Sequence, residues 1–491
     1  MSLPSFKKAQ ESYKGFLVTK VKKIEELALY VIELVHEKTG ARVVHLQNSD
    51  PENVFCISFQ TLPSSSNGVA HILEHTVLCG SKKYPVKDPF FSMIRRSLQT
   101  FMNALTGMDF TCYPASSENV KSFYHLLDVY IDATFFPNLS RESFLQEGHR
   151  LEFLRLDDPK SPLAYRGVVF NEMKGAMSTM ESRFWQHMFE HLYPDLPYKY
   201  NSGGDPAAIP ALTHEELIDF HTYFYNPSNA VFFFYGNIPT QKHLDFLENR
   251  LLKDVEKKPI HSPIAKQKRF SSPLHVEKPY PAKKGESDVI GFGFLTAHLG
   301  DLETIMALTL LESILLDTDA SPLKKALMDF GITSVESYFE TEISEAPFIL
   351  IFKGCGDKSA KEIEETLFHA LRDIAKEKIS QEKILEALHA LEFSRKEISN
   401  DHYPYGLSLF MRSILPKQHG VDTVKSLEID EVFTKLKNRA KNPEFISLLI
   451  HEYFLENPHF VSLTLKPDET LVRKEQEDEQ TSLLHLKEKL T

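Results

Sequence analysis

The chain has 491 residues and a formal net charge of −12, with 56 Lys and Arg against 68 Asp and Glu. A composition of 42% hydrophobic and 25% charged residues is that of a globular protein and speaks against a fibrous or globally disordered chain. The negative balance argues against an extended nucleic-acid footprint, and no apolar run reaches the roughly 18 residues of a membrane span.

Four cysteines (Cys56, Cys79, Cys112 and Cys355) are too few for a disulfide framework and contain no CxxC pair. They point to a reducing compartment. The N-terminus shows neither a secretory signal nor a transit pattern. A cytoplasmic location is therefore expected, or an organellar matrix if a transit peptide has been removed.

The first sixty residues read as strands at Gly15–Val21, Ala28–Val35, Ala41–Leu46 and Val54–Gln60. Helical patterns follow at Val69–Leu78, Pro89–Leu98, Val120–Ala133 and Arg141–Leu145, and Asn229–Gly236 is strand-like. Thr213 and Glu216 form a capping box for the helix that carries Leu217, Phe220 and Tyr223. A Pro- and Lys-rich stretch at 256–287 reads as a linker between a unit at 1–255 and a second at 288–466. In the second unit, Val289–Leu295 and Phe348–Phe352 read as strands; Ile305–Leu316, Lys361–Ile374 and Gln381–Ile398 read as helices. The plan echoes the first unit and suggests an internal duplication. Residues 467–491 are charged and polar, and read as the start of a connector.

The chemistry concentrates in His71-Ile72-Leu73-Glu74-His75. At roughly 100° per residue, His75 lies about 40° from His71 on the helix, and Glu74 about 60° on the other side of His71. Val69, Ile72, Leu73 and Thr76 occupy the opposite, buried face. Two imidazoles suit Zn²⁺, and an adjacent carboxylate can deprotonate a water held by the metal. The order is the inverted zincin motif, HxxEH.

A second HxxEH stands at His187–His191, and spacing alone does not choose between them. The second lies among Trp185, Met188, Phe189 and Leu192 and reads as a packed helix. The first follows the turn Ser64-Ser65-Ser66-Asn67-Gly68 and has a third carboxylate available at Glu172. Cys79 reads as a small buried thiol, and Gly203-Gly204-Asp205-Pro206 reads as a turn, since no P-loop Lys follows it.

The blocks GVAHILEHTVLCGS, SLQTFMNALTGMDFTCYP, FFPNLSRESFLQEGHRLE, RGVVFNEMKG, YNSGGDPAAIPALT and FYNPSNAVFFFYGNIP occur in that order. Together they resemble the pitrilysin/insulinase family of zinc peptidases, in its presequence-protease branch. The resemblance runs over residues 15 to about 240 and continues more weakly to the tail. It selects the first motif and implies one Zn²⁺ per chain, held by His71, His75 and Glu172. Glu74 is then the general base on the zinc-bound water. Asn103 and Ala104 match the edge strand along which family members align the peptide backbone, a main-chain recognition mode. Some branches carry an acid seven residues before the third ligand; here that position is Tyr165.

The fold implied is α+β: two homologous domains, each a largely antiparallel sheet packed with helices, forming half of a clam-shell peptidase. Members of the branch are about twice this length, and an Arg and a Tyr from their second half help bind the scissile carbonyl. The expected partners are a peptide substrate and a C-terminal half, or a second copy of the chain, with no nucleic acid and no membrane. The expected function is hydrolysis of short unstructured peptides, with weak or absent activity in the isolated half. The alternative is a non-catalytic peptide-binding or assembly subunit on the same scaffold.

Overall fold

The computed structural model describes residues 4–87, 89–259, 264–399 and 403–490. The first sheet is built from β1 (Ser12–Tyr13), β2 (Phe16–Ile24), β3 (Leu29–His36), β4 (Arg42–Gln47), β5 (Asn53–Gln60), β6 (Phe101–Met102), β7 (Leu105–Thr106) and β8 (Phe110–Ser117). A small hairpin, β9 (Arg150–Phe153) and β10 (Leu163–Arg166), stands apart, and β11 (Ala230–Gly236) returns to the first sheet. The order is β1-β2-β3-β4-β11-β5-β8, with β6 and β7 both on the outer edge of β8. Every pairing is antiparallel except β4–β11.

The helices of this half are α1 (Val69–Val77), α2 (Pro89–Arg96), α3 (Val120–Phe135), α4 (Arg141–Glu147), α5 (Val168–Ala176), α6 (Met180–Leu192), α7 (His214–Phe224) and α8 (Thr240–Arg250). Alternation along β5 sends Phe55, Ile57 and Phe59 to the face covered by α1, α3, α7 and α8. Val54 and Cys56 point to the other face, where they meet Leu407, Phe410 and Ile414 of the helix Tyr405–Gln418. Both faces are therefore buried. This is why β11 reads as the unbroken apolar run Ala230-Val-Phe-Phe-Phe-Tyr235 rather than as an alternating strand.

The second sheet has the order β12-β16-β13-β15-β14, from β12 (Leu274–Pro281), β13 (Val289–His298), β14 (Ser334–Phe339), β15 (Glu345–Lys353) and β16 (Phe460–Asp468). It too is antiparallel except for one pair, β12–β16. Phe292, Phe294, Phe348 and Leu350 pack under the helices Leu302–Leu316 and Ala360–Glu377. The other face, with Leu295, Ile349, Val461 and Leu463, is covered by Phe184, Met188 and Leu192 of α6. The sheets thus exchange helices: α6 from the first half covers the second sheet, and Tyr405–Gln418 covers the first.

One expectation changes. The stretch 256–287 is not all connection, because its residues 274–281 form the edge strand β12. Residues 260–263 of it lie outside those described. Pro279 and Pro281 mask the strand in the sequence, yet an edge position tolerates missing donors. The tail, read as the start of a connector, is the helix Leu471–Leu490, which lies along β10 and β12; Glu479 pairs with Lys174 of α5, both Glu475 carboxylate oxygens accept from Arg183 Nη2 of α6 (2.8 and 2.9 Å), and Lys487 donates to the Ser161 carbonyl at 2.9 Å.

The docking of α6 is close. A Cβ on Gly291 of β13 would sit 2.2 Å from the Phe184 ring, so the ring fills the space a side chain would take. Phe184→Ala is expected to lower unfolding stability by about 3–5 kcal/mol. A urea melt followed by circular dichroism checks this through a lower midpoint.

Candidate metal centre

α1 begins at Gly68, in the left-handed region at φ +69°. The residue is forced by crowding as well as by φ, because a Cβ there would lie 2.9 Å from the Cα of Gly204. The loop before α1 is strapped to the turn 201–205. Asp205 N donates to the Ser66 carbonyl (2.7 Å) and Asn201 N donates to Ser66 Oγ (3.1 Å). This crossing brings the Gly203 carbonyl to His71, whose Nδ1 donates to it at 3.0 Å. A carbonyl can only accept, so the proton sits on Nδ1 and the lone pair on Nε2.

A second crossing serves the other ligands. A Cβ on Gly167, which starts α5, would lie 2.0 Å from the Gly148 carbonyl oxygen. The close approach sets α5, which carries Glu172, beside the end of α4, which carries Glu147. Glu147 is 7% exposed, and its Oε2 accepts from His75 Nδ1 at 3.3 Å. Its other oxygen accepts from Gln146 Nε2 at 2.7 Å. Burial alone would raise the Glu147 pKa, but the bonds from His75 and Gln146 outweigh it and hold the carboxyl below its usual value. Burial likewise disfavours charge on His75, but the bond to Glu147 and the surrounding carboxylates raise its pKa on balance.

Both Nδ1 atoms being occupied, both Nε2 atoms remain, and each lies 3.9 Å from Glu172 Oε2. One donor atom each from His71, His75 and Glu172 falls within 4.8 Å of the others. Neighbouring ligand atoms of a tetrahedral zinc site sit about 3.4 Å apart. The donors fit such an ion after a small side-chain shift, and Glu172, 54% exposed, has the freedom to make it. No other His/Cys/Asp/Glu group of this kind occurs among the described residues.

Glu74 lies on the same helix but is 8% exposed. Its Oε2 accepts from the Thr106 hydroxyl at 2.5 Å. Burial pushes its pKa up, while the Thr106 bond and the two imidazoles pull it part of the way back. A carboxylate so placed has a raised proton affinity, as a general base needs.

Asn103 and Ala104 lie on the outer edge of the sheet, between β6 and β7. Asn103 N donates to the Pro114 carbonyl (3.2 Å), and its own carbonyl accepts from Tyr130 (3.1 Å). Its side chain accepts from Ala104 N at 3.0 Å. The main chain of Asn103 is thus turned inward onto β8, and the edge residue that touches Glu74 is Thr106.

The motif at His187–His191 stays local. His187 pairs with Glu190 (3.2 Å) one turn on, and His191 Nδ1 donates to the His187 carbonyl (2.8 Å). Cys79 donates back to the His75 carbonyl at 3.5 Å and lies outside the donor group. Sequence reasoning missed Glu147, Thr106 and the Gly203 carbonyl. Glu147 stood in the block FLQEGHRLE, and the Gly203-Gly204 turn was read only as a turn.

Residues 62–154 match the model of the insulinase family (peptidase family M16), and residues 211–391 match that of the peptidase M16 inactive domain. His71, Glu74 and His75 fall inside the first match; Glu172 falls between the two. A mitochondrial presequence protease of Xenopus laevis is 38% identical over 482 residues, covering 96% of this chain and 47% of that protein. Protein HypA of Clostridium perfringens is 34% identical over 487 residues, covering 98% of this chain and 50% of that one. The chain spans about half the length of the curated relatives it matches. The crystal structure of a protease from Helicobacter pylori superposes with a TM-score of 0.69 at 19% identity, covering 89% of this chain and 99% of that one. At that identity the likeness is one of fold.

Loss of the Glu147 carboxylate should release the ring of His75. Glu147→Ala is expected to weaken binding of Zn²⁺ or Co²⁺ by about 10–100-fold, measured by competition with a chromogenic chelator. Unchanged affinity would remove Glu147 from the site.

Proposed function

The chain belongs to the insulinase family of peptidases, M16, and from that premise we propose that it is the metal-holding half of a zinc metalloendopeptidase acting on short unstructured peptides. The observation that carries the reading is the convergence of two free Nε2 atoms and the Glu172 carboxylate beside buried Glu74.

His71, His75 and Glu172 would hold the ion. A bound zinc supplies Lewis acidity, which makes water a nucleophile at neutral pH and polarises a carbonyl. The remaining work falls to the chain itself. Gly203 and Glu147 fix the tautomers, so that no imidazole turns a proton toward the ion. Glu74 takes the proton of the attacking water and returns it to the leaving amine, and Thr106 holds the carboxylate in place. The sheet edge that carries Asn103 and Ala104 would align the peptide backbone through main-chain groups other than those Asn103 spends on Pro114 and Tyr130, which requires an extended, unfolded segment. Folded proteins are poor substrates on this account.

The relatives are twice as long, which supports a second half as the partner of this one. That half, or a second copy of the chain, would close the site and exclude water from it. Alone, the chain is expected to turn over slowly. The name of the Xenopus relative supports an organellar matrix over the cytoplasm as the compartment. No helix among the described residues is long and apolar enough to cross a membrane.

The test is cleavage of an unstructured fluorogenic peptide by the zinc-loaded chain beside Glu74→Gln. The variant is expected to keep stoichiometric zinc and to lose at least about 100-fold in rate. Equal rates in the two proteins would overturn the role of Glu74. A zinc content well below one per chain in the unmodified protein would overturn the metal assignment.

A further inference from the structure

A cavity of about 460 Å³ opens next to the candidate metal centre and is used by none of the steps above. Its walls come from α5, α6, β14 and the segment 198–202, with Met108 from the loop before β8. Met173 belongs to α5 and Met177 follows that helix, Trp185 and Phe189 belong to α6, and Tyr338 and Phe339 end the edge strand β14 of the second sheet. Trp185 meets Tyr338 edge-on at 4.9 Å between ring centroids, so the two halves of the chain meet across the cavity.

The cavity adjoins the candidate metal centre through Met173, Asn201 and Ser202. Met173 is the residue after Glu172. Its thioether packs against Gly203 so closely that a Cβ there would lie 3.1 Å from Met173 Cε. The Gly203 carbonyl is the group that orients His71. One wall of the cavity is therefore also the back of the site.

The lining sets thioethers and aromatic rings opposite a polar side of Ser182, Gln186, Lys199, Asn201, Ser202 and Glu340. Thioethers adapt to side chains of different shape, and aromatic walls favour large apolar guests. Gln186 donates its amide nitrogen to Asp205 at 2.9 Å, while its Oε1 is buried without a partner among the described residues. The one carboxylate in the lining, Glu340, already accepts from the Glu342 main chain at 2.7 Å.

We propose that this cavity is a specificity subsite, taking one large apolar side chain, aromatic or branched aliphatic, of a peptide bound at His71, His75 and Glu172. The inference rests on the peptidase reading for the identity of its ligand. The cleavage preference of the enzyme would then be set partly by the second sheet, through Tyr338 and Phe339.

Trp185 is the only tryptophan in the chain, so its emission reports on this cavity alone. The full zinc-loaded chain carrying Glu74→Gln is titrated with unstructured peptides that lack Trp and Tyr. These differ at one scanned position, which holds Phe, Leu, Ala or Arg. Phe and Leu peptides are expected to change Trp185 emission saturably, with the Ala peptide binding about 10-fold more weakly or worse. Ser202→Phe, which fills the cavity from its polar side, is expected to abolish the response while zinc content stays at one per chain. No emission change with any peptide up to millimolar concentration would overturn the subsite. So would equal affinities for the Phe and Ala peptides, or a preference for Arg. Cleavage by the unmodified chain is assayed separately. A Phe-selective response from a chain that holds well below one zinc keeps the subsite and fails the peptidase reading, and Glu74-dependent cleavage without the response does the reverse.

Discussion

Two places where backbone touches backbone govern the rest of the structure. At Gly68 and Gly204 the loop before α1 crosses the turn 201–205, and at Gly148 and Gly167 the end of α4 crosses the start of α5. Each crossing leaves no room for a side chain. Each also delivers a hydrogen-bond acceptor to one imidazole: the Gly203 carbonyl to His71, and the Glu147 carboxylate to His75. Helix periodicity puts the two rings on one face, but it does not decide which nitrogen points outward. The crossings decide that, and they fix it before any ion binds. The cost of ordering the rings is met during folding rather than at binding, which is what preorganisation means for a metal site.

The acids around the centre divide by environment. Glu74 and Glu147 are both under 10% exposed, whereas Glu172 is about half exposed. Burial raises the proton affinity of Glu74, which suits a group that must take and return a proton. Glu147 is equally buried but is held ionised by His75 and Gln146, which suits a group that orients a ring and does not exchange protons. Glu172 has no comparable constraint and can swing onto an ion. Three carboxylates of similar intrinsic acidity are thus given three different environments by burial and partners.

The sequence made the local parts of this legible. The HxxEH pattern placed His71, His75 and Glu74 on one helix, and α1 runs over Val69–Val77 as the pattern requires. The strands of the first sixty residues lie within a few residues of their expected bounds, because Val- and Phe-rich runs bounded by Gly and polar turns have few other uses. What the pattern did not carry is non-local. Glu147 stands 72 positions from His75 and Gly203 stands 132 from His71, so nothing in either neighbourhood announces the contact. β12 was hidden by its prolines, and Tyr405–Gln418 by lying about 170 residues from the β11 strand it covers. Tyr165 stands seven residues before Glu172, and the buried acid beside His75 comes instead from α4.

The exchange of helices ties the candidate metal centre on the first sheet to the second sheet. α6 follows α5 after only three residues, and its apolar face, Phe184, Met188 and Leu192, is bound into the second sheet. A displacement of the second sheet therefore pulls on the helix next to the one that holds Glu172. The ion pairs from the tail helix to Lys174 and Arg183 add to the same joint, but pairs this exposed contribute little each. The stiffness of the joint comes instead from ring packing, with Phe184 pressed against the bare backbone of Gly291. Packed interfaces of this kind shift between discrete arrangements rather than bending smoothly.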